Sequence, residues 1–299
     1  MKQSPRSSNQ NRPKVAAAIP AFNEERYIGT IILKTRRYVD EVIVVDDGSS
    51  DQTADVARLA GATVIRHEQN RGYGASIQTL LAEAKKRDLN ILVLLDADAQ
   101  HNPDEIPDLV KPISEGFDLV IGSRAQRGKD IPRYRRMGQG VISYFSHILS
   151  GQKVSDSESG FRVFSRKAIA SLELKENGMA VSAETIAKAA ESGLKITERP
   201  ISIKYTEDGS TLNPVLHGFE VLRRIIAMIS ERRPLFFFGL GGIILITLGL
   251  LAGIRVVSIS SGGGGLAMGT ALVSILLLVI GVFSIFTGII LNVLIKRRG

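Results

Sequence analysis

The chain has 299 residues, enough for one large domain or two smaller ones, with a formal net charge of +8 and 44% hydrophobic residues. It contains no cysteine, which excludes disulfide frameworks and Cys-ligated zinc, and its four histidines offer no metal-spaced pair. No aromatic-interleaved basic patch accompanies the positive charge, so the charge is read as attraction to anionic lipid heads and phosphorylated ligands and not to nucleic acid.

Residues 1–13 are polar and basic without an apolar core, which predicts a disordered tail and not a signal peptide. From residue 14 to about 211, short apolar runs alternate with helical patterns. Strands are expected at 15–19, 41–45, 63–66, 91–95 and 119–121, and helices at 25–38, 53–60, 74–87 and 103–115. That alternation predicts an α/β domain with a mainly parallel sheet, whose ligands sit at the carboxyl ends of the strands.

Polar clusters follow the strands at that edge. After the first come Pro20-Ala21-Phe22-Asn23-Glu24-Glu25, and after the second Asp46-Asp47-Gly48-Ser49-Ser50-Asp51. Ser49, Ser50 or Asp51 is a candidate helix cap, and two further carboxylates exceed what a cap requires, so Asp46 or Asp47 is expected to face a ligand. Asn70-Arg71-Gly72-Tyr73-Gly74 fails as a dinucleotide fingerprint because Ile77 stands at the third glycine position; a flap and a plain turn remain equal readings. Asp96-Ala97-Asp98 follows the apolar run Ile91-Leu92-Val93-Leu94-Leu95. Alternate residues of an extended chain share a face, and paired hard-oxygen ligands suit a divalent cation that also holds phosphates. Gly122-Ser123-Arg124 ends the next strand, and Arg127, Lys129, Arg133, Arg135 and Arg136 crowd the loop beyond it. Arg124 is the candidate diphosphate clamp, because a guanidinium binds phosphate oxygens bidentately; one of Arg133, Arg135 and Arg136 is a candidate for a second phosphate. Asp156-Ser157-Glu158-Ser159-Gly160 then precedes a strand at 161–164.

Downstream the character changes. Residues 235–254 contain no ionisable group and at ~1.5 Å rise per residue span roughly 30 Å, one hydrocarbon core. A second uncharged run covers 266–295, and the Gly/Ser-rich segment 258–265 between them reads as a flexible turn. A hairpin of two transmembrane helices is expected, at about 235–254 and 268–294 within a 234–299 region. Arg223, Arg224, Arg232 and Arg233 precede the first span, Lys296, Arg297 and Arg298 follow the second, and only Arg255 lies between, so both ends and the large N-terminal domain are expected on the cytoplasmic side of the cell membrane in a multi-pass protein. Over 212–233, Val215, Phe219, Leu222, Ile225, Ile226 and Ile229 recur at helical spacing beside several arginines, the pattern of an amphipathic interfacial helix; a helix packed on the soluble domain is the competing reading. Gly239, Gly241, Gly242 and Gly269 allow close packing of spans, which leaves a homo-oligomer open.

Taken in order, Pro20 to Glu25, Val45 to Ser49, Asp96 to Asp98, Gly122 to Arg124 and Ser159 to Arg162 resemble the motifs of the family 2 glycosyltransferases of GT-A fold, in the dolichyl- or polyprenyl-phosphate hexosyltransferase branch. The resemblance covers roughly residues 15–218. It implies that Pro20, Phe22 and Glu24 border the nucleobase and that Asp46 or Asp47 contacts the nucleoside. Asp96 and Asp98 are implied to hold Mg²⁺ or Mn²⁺ against the donor diphosphate, with Gln100 as a further ligand, Arg124 as a phosphate ligand and Asp156 as an acceptor-side acid. Phe22 stands where relatives often carry Tyr. The segment Lys204-Tyr205-Thr206-Glu207-Asp208 lacks the arginine of mannosyl-transferring relatives, and the segment from Asp156 to Arg162 favours UDP-linked glucose or N-acetylhexosamine as donor.

The expected function is therefore that of a membrane-anchored inverting transferase moving hexose from a UDP- or GDP-sugar to a polyprenyl or dolichyl phosphate, with membrane lipid as a further partner. A hydroxyl-directed transferase of polysaccharide or glycolipid synthesis competes, and would need a base such as Asp156; the chain's lack of Trp counts against a processive synthase. A non-catalytic nucleotide-sugar-binding adaptor is opposed by the intact acidic pair and Arg124.

Overall fold

The computed structural model describes residues 13–124, 147–148, 151, 154–203, 222–223, 225–230, 233–261 and 267–296. Cα packing divides the chain into two units, residues 1–222 and 223–299.

In the first unit β1 (Val15–Ala21), β2 (Glu41–Asp46), β3 (Thr63–Arg66), β4 (Ile91–Leu94), β5 (Leu119–Ser123), β6 (Arg162–Ser165) and β7 (Ile196–Pro200) form one seven-stranded sheet in the order β3-β2-β1-β4-β6-β5-β7. All neighbours are parallel except β6, which runs antiparallel to both β4 and β5. The mainly parallel α/β sheet expected from the sequence is present. The reversal of β6 has a consequence for chemistry: the loop entering β6 reaches the same edge as the loops leaving β1, β2, β4 and β5.

Alternation along the strands builds a core on each face. Ala16, Ala18, Ile43, Val45, Leu92, Leu94, Ile121 and Phe164 meet α3 (Tyr73–Lys86), α5 (Arg166–Ser171) and α6 (Val181–Glu191). Ala17, Ile19, Val42, Val44, Val93, Val120, Phe161 and Val163 meet α1 (Ile28–Thr35), α2 (Thr53–Leu59) and α4 (Ile106–Ser114). The alanines of β1 are wholly buried and bring helices close on both sides. A 3₁₀ turn, Pro103–Glu105, leads into α4, with Asn102 Oδ1 accepting the Asp104 N–H (3.2 Å).

Two elements carry no clear period in the sequence. In α6 eight residues are buried, including Ser182, Glu184 and Thr185, so polar and apolar positions are sequestered alike. β7, Ile-Thr-Glu-Arg-Pro, is a half-buried edge strand whose polar residues hide the alternation. The strand expected at 161–164 sits one residue later, and α1 begins at Ile28 because Tyr27 and Ile28 N–H groups first close a turn on Glu24 C=O.

The second unit contains α7 (Pro234–Ser261) and α8 (Met268–Lys296), both long and apolar enough to cross a membrane. They run antiparallel, since Gly242 packs on Gly281, Gly249 on Leu278, and Gly288 on Phe238 and Pro234. Hydroxyls tie them across: Ser274 donates to Gly249 C=O (2.7 Å) and Ser284 to Phe238 C=O (2.8 Å). Of the four glycines nominated for close packing, Gly242 lies in this seam, whereas Gly241 and Gly269 face open space and Gly239 touches only its own helix at Leu235. Large apolar side chains such as Leu251, Ile254, Phe283 and Ile290 point outward. Of the amphipathic helix expected at 212–233, residues 222–223 and 225–230 are described and helical, with Ile225, Met228 and Ile229 buried; Arg233 is described but not helical, and the rest lies outside the described residues.

At the sheet edge opposite the ligand-facing loops, Asp118 joins three strands. Its carboxylate accepts the Lys195 N–H and the Ser165 hydroxyl (both 3.0 Å) and faces Lys167 Nζ at 3.5 Å. Burial pushes this carboxyl up, but those donors outweigh it and hold the pKa below the ordinary value. Asp118→Asn is expected to cost about 1–3 kcal/mol at neutral pH. Because the folded-state pKa is depressed, the contribution is complete above the unfolded value of about 3.9 and is lost as pH falls through the folded one. Guanidinium unfolding of the detergent-solubilised protein should thus show a parent-variant gap that is flat from about pH 7 to 5 and narrows below about pH 4. A gap unchanged down to about pH 2 would refute the sign.

Candidate active site

The loops leaving β1 and β2 are laced together by backbone-to-side-chain hydrogen bonds. Asn23 N–H donates to Ser49 Oγ (2.9 Å), Ser50 N–H to Asn23 Oδ1 (2.9 Å), Glu24 N–H to Thr53 Oγ1 (2.7 Å) and Gln52 N–H to Glu25 Oε2 (2.9 Å). Asn23 adopts φ 56°, a left-handed conformation Asn tolerates through local side-chain bonding. None of the expected caps occupies the N-cap of α2, which is Gln52 without a side-chain capping bond; Asp51 Oδ1 accepts the Thr53 N–H (3.0 Å) from one residue earlier, while Ser49 and Ser50 tie the two loops. Phe22 is 45% exposed at the rim, whereas Pro20 is buried within β1 opposite Val45.

Asp46 and Asp47 are both buried and both engaged by the protein. Asp46 Oδ1 accepts the Ser49 N–H (3.2 Å), and its Oδ2 lies 3.1 Å from Arg66 Nε as an ion pair without hydrogen-bond alignment. Asp47 accepts the N–H groups of Arg71 (3.0 Å) and Gly72 (2.8 Å), and its Oδ1 is 2.6 Å from His67 Nδ1. His67 Nε2 in turn meets Thr79 Oγ1 at 3.0 Å. Asp47 therefore fixes the loop 70–73 against β2. Gly72, at φ 98°, takes a conformation L side chains rarely adopt, and a Cβ on Gly74 would lie 2.1 Å from Glu176 C=O. The segment is a packed helix entry rather than a free flap.

Helix α3 begins at Tyr73, whose hydroxyl donates to Asp96 Oδ1 (2.8 Å). Burial, and then the Asp96 charge, push this phenol up, so it stays protonated and able to donate. The Asp96 N–H donates to His101 Nδ1 (3.2 Å), which puts the His101 proton on Nε2; the 3.7 Å approach of Nδ1 to Asp96 Oδ2 is then not a charged contact. Asp98 Oδ1 accepts the Gln100 N–H (3.0 Å), a turn made possible by φ 60° at Ala99. A non-glycine residue in that region stores about 1 kcal/mol, strain of the kind that gathers at functional sites.

Electrostatically the edge is divided. Burial raises Asp98 and the Asp96 charge raises it further. Glu24 is pushed up to about 7 by burial, then by Asp98, Asp96 and Asp51. Carboxylates that raise one another in this way are what a divalent cation would relieve, and the set is all hard oxygen, so the residues fit such an ion. Among the described residues no three His, Cys, Asp or Glu form a complete metal cluster. Asp96 and Asp98 offer two hard-oxygen groups of the kind that Mg²⁺ or Mn²⁺ takes together with water and phosphate oxygens. Gln100 is half-buried beside them.

The basic side of the edge is Arg124. Its backbone N–H and Nε donate to Asp156 Oδ2 (3.0 and 2.5 Å) and its Nη2 to Oδ1 (2.6 Å), a bidentate pair with Asp156 only 3% exposed. Two residues nominated for separate roles are thus joined to each other. Arg133 lies outside the described residues, as do Arg127, Lys129, Arg135 and Arg136.

The loop entering β6 closes the floor. Arg162 is wholly buried and directs its guanidinium at the backbone carbonyls of Ser159 (2.9 Å), Ser182 (2.9 Å) and Ser157 (2.7 Å). Gly160 lies against Asp96 so closely that a Cβ would sit 2.3 Å from its Oδ2. Burial pushes Glu158 up to about 7, and its Oε1 is buried without a hydrogen-bond partner. Tyr73, Gly160 and Arg162 were not assigned roles from sequence. The cues are present, a Tyr opening a helix after Gly and a Gly between an acidic loop and a strand, but their partner Asp96 is far away in the chain.

The chain matches the profile described as "Glycosyl transferase family 2" over residues 17–172, the span that carries the loops leaving β1, β2, β4 and β5 and the loop entering β6. It is 32% identical over 236 residues to the UDP-N-acetylglucosamine–dolichyl-phosphate N-acetylglucosaminyltransferase of Methanococcus voltae, covering 70% of this chain and 94% of the relative. It is 30% identical over 223 residues to the dolichyl-phosphate hexose transferase of Haloferax volcanii, covering 73% and 95%. Among solved structures it resembles glucosyl-3-phosphoglycerate synthase from Mycobacterium tuberculosis in complex with phosphoglyceric acid, with a TM-score of 0.59 at 25% identity over 74% of this chain and 80% of that one. With the acidic pair leaving β4, Arg124 leaving β5 and the profile spanning both, the chain belongs to glycosyl transferase family 2 and is a glycosyltransferase of GT-A fold.

Proposed function

We propose that this glycosyltransferase moves a hexose from a nucleotide sugar to a polyprenyl or dolichyl phosphate, with inversion at the anomeric carbon. The observation that carries the reading is the divided edge: Asp96, Asp98 and Glu24 on one side, and Arg124 on a separate arm built from β5 and the loop before β6. The names of the relatives, which act on dolichyl phosphate, support the acceptor. A UDP-linked glucose or N-acetylhexosamine is the preferred donor, a choice supported by the Methanococcus relative.

The acceptor itself explains why no strong base is required. A lipid monophosphate has its second pKa near ~6 and carries about −1.5 to −2 charges at neutral pH. Its oxygen is nucleophilic as it stands. What must be stabilised is the departing nucleoside diphosphate, on which negative charge develops. A divalent cation held by Asp96 and Asp98, with Gln100 as third ligand, supplies countercharge to that group when bound. Arg124 supplies a second countercharge through bidentate hydrogen bonds to phosphate oxygens. Phe22 offers an exposed ring for the nucleobase, with Pro20 supporting it from β1 and Glu24 beside it. Asp46 borders the nucleoside, and Asp47 shapes that wall by fixing Arg71 and Gly72. One of Arg133, Arg135 and Arg136 is assigned to the acceptor phosphate. Asp156 acts through Arg124, not as a base, since both its oxygens are committed to the guanidinium.

The anchor consists of α7 and α8. Their outward apolar side chains support a reading in which they cross the cell membrane, and the Lys/Arg distribution supports a catalytic domain on its cytoplasmic face.

Asp98→Asn and Arg124→Ala should each lower transfer of radiolabelled sugar from nucleotide sugar to dolichyl phosphate in membranes by about 100-fold or more. A chelator should abolish transfer and added Mg²⁺ or Mn²⁺ restore it; undiminished turnover in either experiment refutes the assignment. Gly160→Ala forces Asp96 aside. It is expected to reduce kcat by roughly 100-fold while the protein still unfolds cooperatively, and parental turnover in that variant would show that the position of Asp96 does not matter.

A further inference from the structure

Arg124 is held from one side by Asp156, and Asp156 is held in turn from a place the motifs do not reach. Glu198, in the middle of edge strand β7, turns its carboxylate toward the start of the acidic loop. Its Oε1 accepts the Ser155 N–H (3.0 Å), the Ser155 hydroxyl (3.0 Å) and the Asp156 N–H (3.3 Å), and its Oε2 lies 3.1 Å from the same Ser155 N–H. On the other side the Ser155 hydroxyl meets Ser123 Oγ at 2.7 Å, at the last residue of β5. β5 and β7 pair in parallel, with Ile121 opposite Glu198, so Glu198 rides on the strand next to the one that ends at Ser123, while β6, which the gripped loop enters, lies on the far side of β5.

We propose that Glu198 is a positioning residue for phosphate-leaving-group stabilisation: by clamping the backbone at Ser155 and Asp156 it fixes the Asp156 carboxylate, which aims the Arg124 guanidinium. A bidentate Arg–carboxylate pair is directional in both partners, and the Asp156 backbone is the base from which that direction is set. Without Glu198 the N–H groups of Ser155 and Asp156 lose this acceptor, and the Asp156–Arg124 unit gains freedom at the place where transition-state charge must be met in a fixed orientation. A carboxylate suits the task because one group accepts several donors at once. Glu198 is half-buried on an edge strand, so its loss leaves both cores intact. The inference rests on reading Arg124 as the diphosphate ligand.

The test uses the full-length protein in detergent with dolichyl phosphate as acceptor and UDP-glucose, UDP-N-acetylglucosamine and GDP-mannose as donors, kinetics being taken on the donor that turns over. Glu198→Ala is expected to lower kcat about tenfold, with the donor KM changed less than about threefold and the melting temperature within about 2 °C of the parent. Glu198→Gln keeps a carbonyl acceptor for the N–H groups and should recover to within about threefold of the parent. The deciding measurement is a double-mutant cycle with Arg124→Lys, which keeps the charge but loses the bidentate fork. If Glu198 acts through Arg124, the double variant is no slower than Arg124→Lys alone. Multiplied losses, or a fall in melting temperature that accounts for the lost rate, would overturn the role of Glu198. A parental rate for Arg124→Lys and Arg124→Ala would instead overturn the assignment of Arg124, and a parent idle on all three donors would overturn the donor and acceptor reading with it.

Discussion

Glu24, Asp96 and Asp98 are held at one edge of the sheet, where burial and mutual repulsion drive Glu24 to about 7 and raise Asp98 as well. Like charges in a half-buried place oppose folding unless something answers them. The protein supplies part of the answer with neutral donors, the Tyr73 hydroxyl to Asp96 and the Gln100 N–H to Asp98. It supplies no positive side chain by hydrogen bond or ion pair to Asp98 among the described residues. In the proposed reading, a divalent cation that carries phosphates with it answers the remaining imbalance.

Sheet topology decides which groups can share the edge. A purely parallel sheet would bring only loops that follow strands, those carrying Phe22, Asp46, Asp98 and Arg124. By inserting one reversed strand between β4 and β5, the fold brings a loop that precedes a strand to the same place. That loop contributes Asp156 to hold Arg124 and Gly160 to crowd Asp96. Its own course is set from below by Arg162, whose guanidinium gathers three carbonyls in a region without water-exposed backbone. A buried cation that binds carbonyls has two effects here: it satisfies backbone acceptors that would otherwise be stranded, and it sits near the acidic cluster without neutralising it by contact.

How far the sequence could be read depends on the range of the interactions. Strand positions and the acidic and basic motifs announced themselves through local pattern, an apolar run ending in charge, and the sheet with its ligand-facing edge came with them. What stayed hidden are pairings across long stretches of chain. Tyr73 meets Asp96, Asp47 meets Arg71 and Gly72, and Glu198 meets Ser155, at separations of 23 to 43 residues. Nothing in the spacing of Asp46-Asp47 says that Asp47 commits its oxygens to its own protein. The same limit explains α6, buried on nearly every face so that no amphipathic period survives, and β7, whose polar residues serve the loop beside it. Arg124 and Asp156 could be nominated one by one, but their union is a fact of three dimensions.

That union also orders the chemistry. With Asp156 on the Nε–Nη2 edge of its guanidinium, Arg124 carries its charge in a neutral pair and does not attract anions strongly from a distance. In the proposed reading a diphosphate beside the acidic pair shares the guanidinium with Asp156 or draws it away, and drawing it away replaces one set of charge-assisted hydrogen bonds with another of similar strength. On that reading ground-state binding gains little from Arg124. The gain comes when the bond to the sugar breaks and charge on the leaving oxygens rises, because only then does phosphate hold the guanidinium more strongly than the carboxylate does. An arginine paired in this way contributes chiefly to the transition state, and its usefulness depends on how firmly the carboxylate that holds it is itself held.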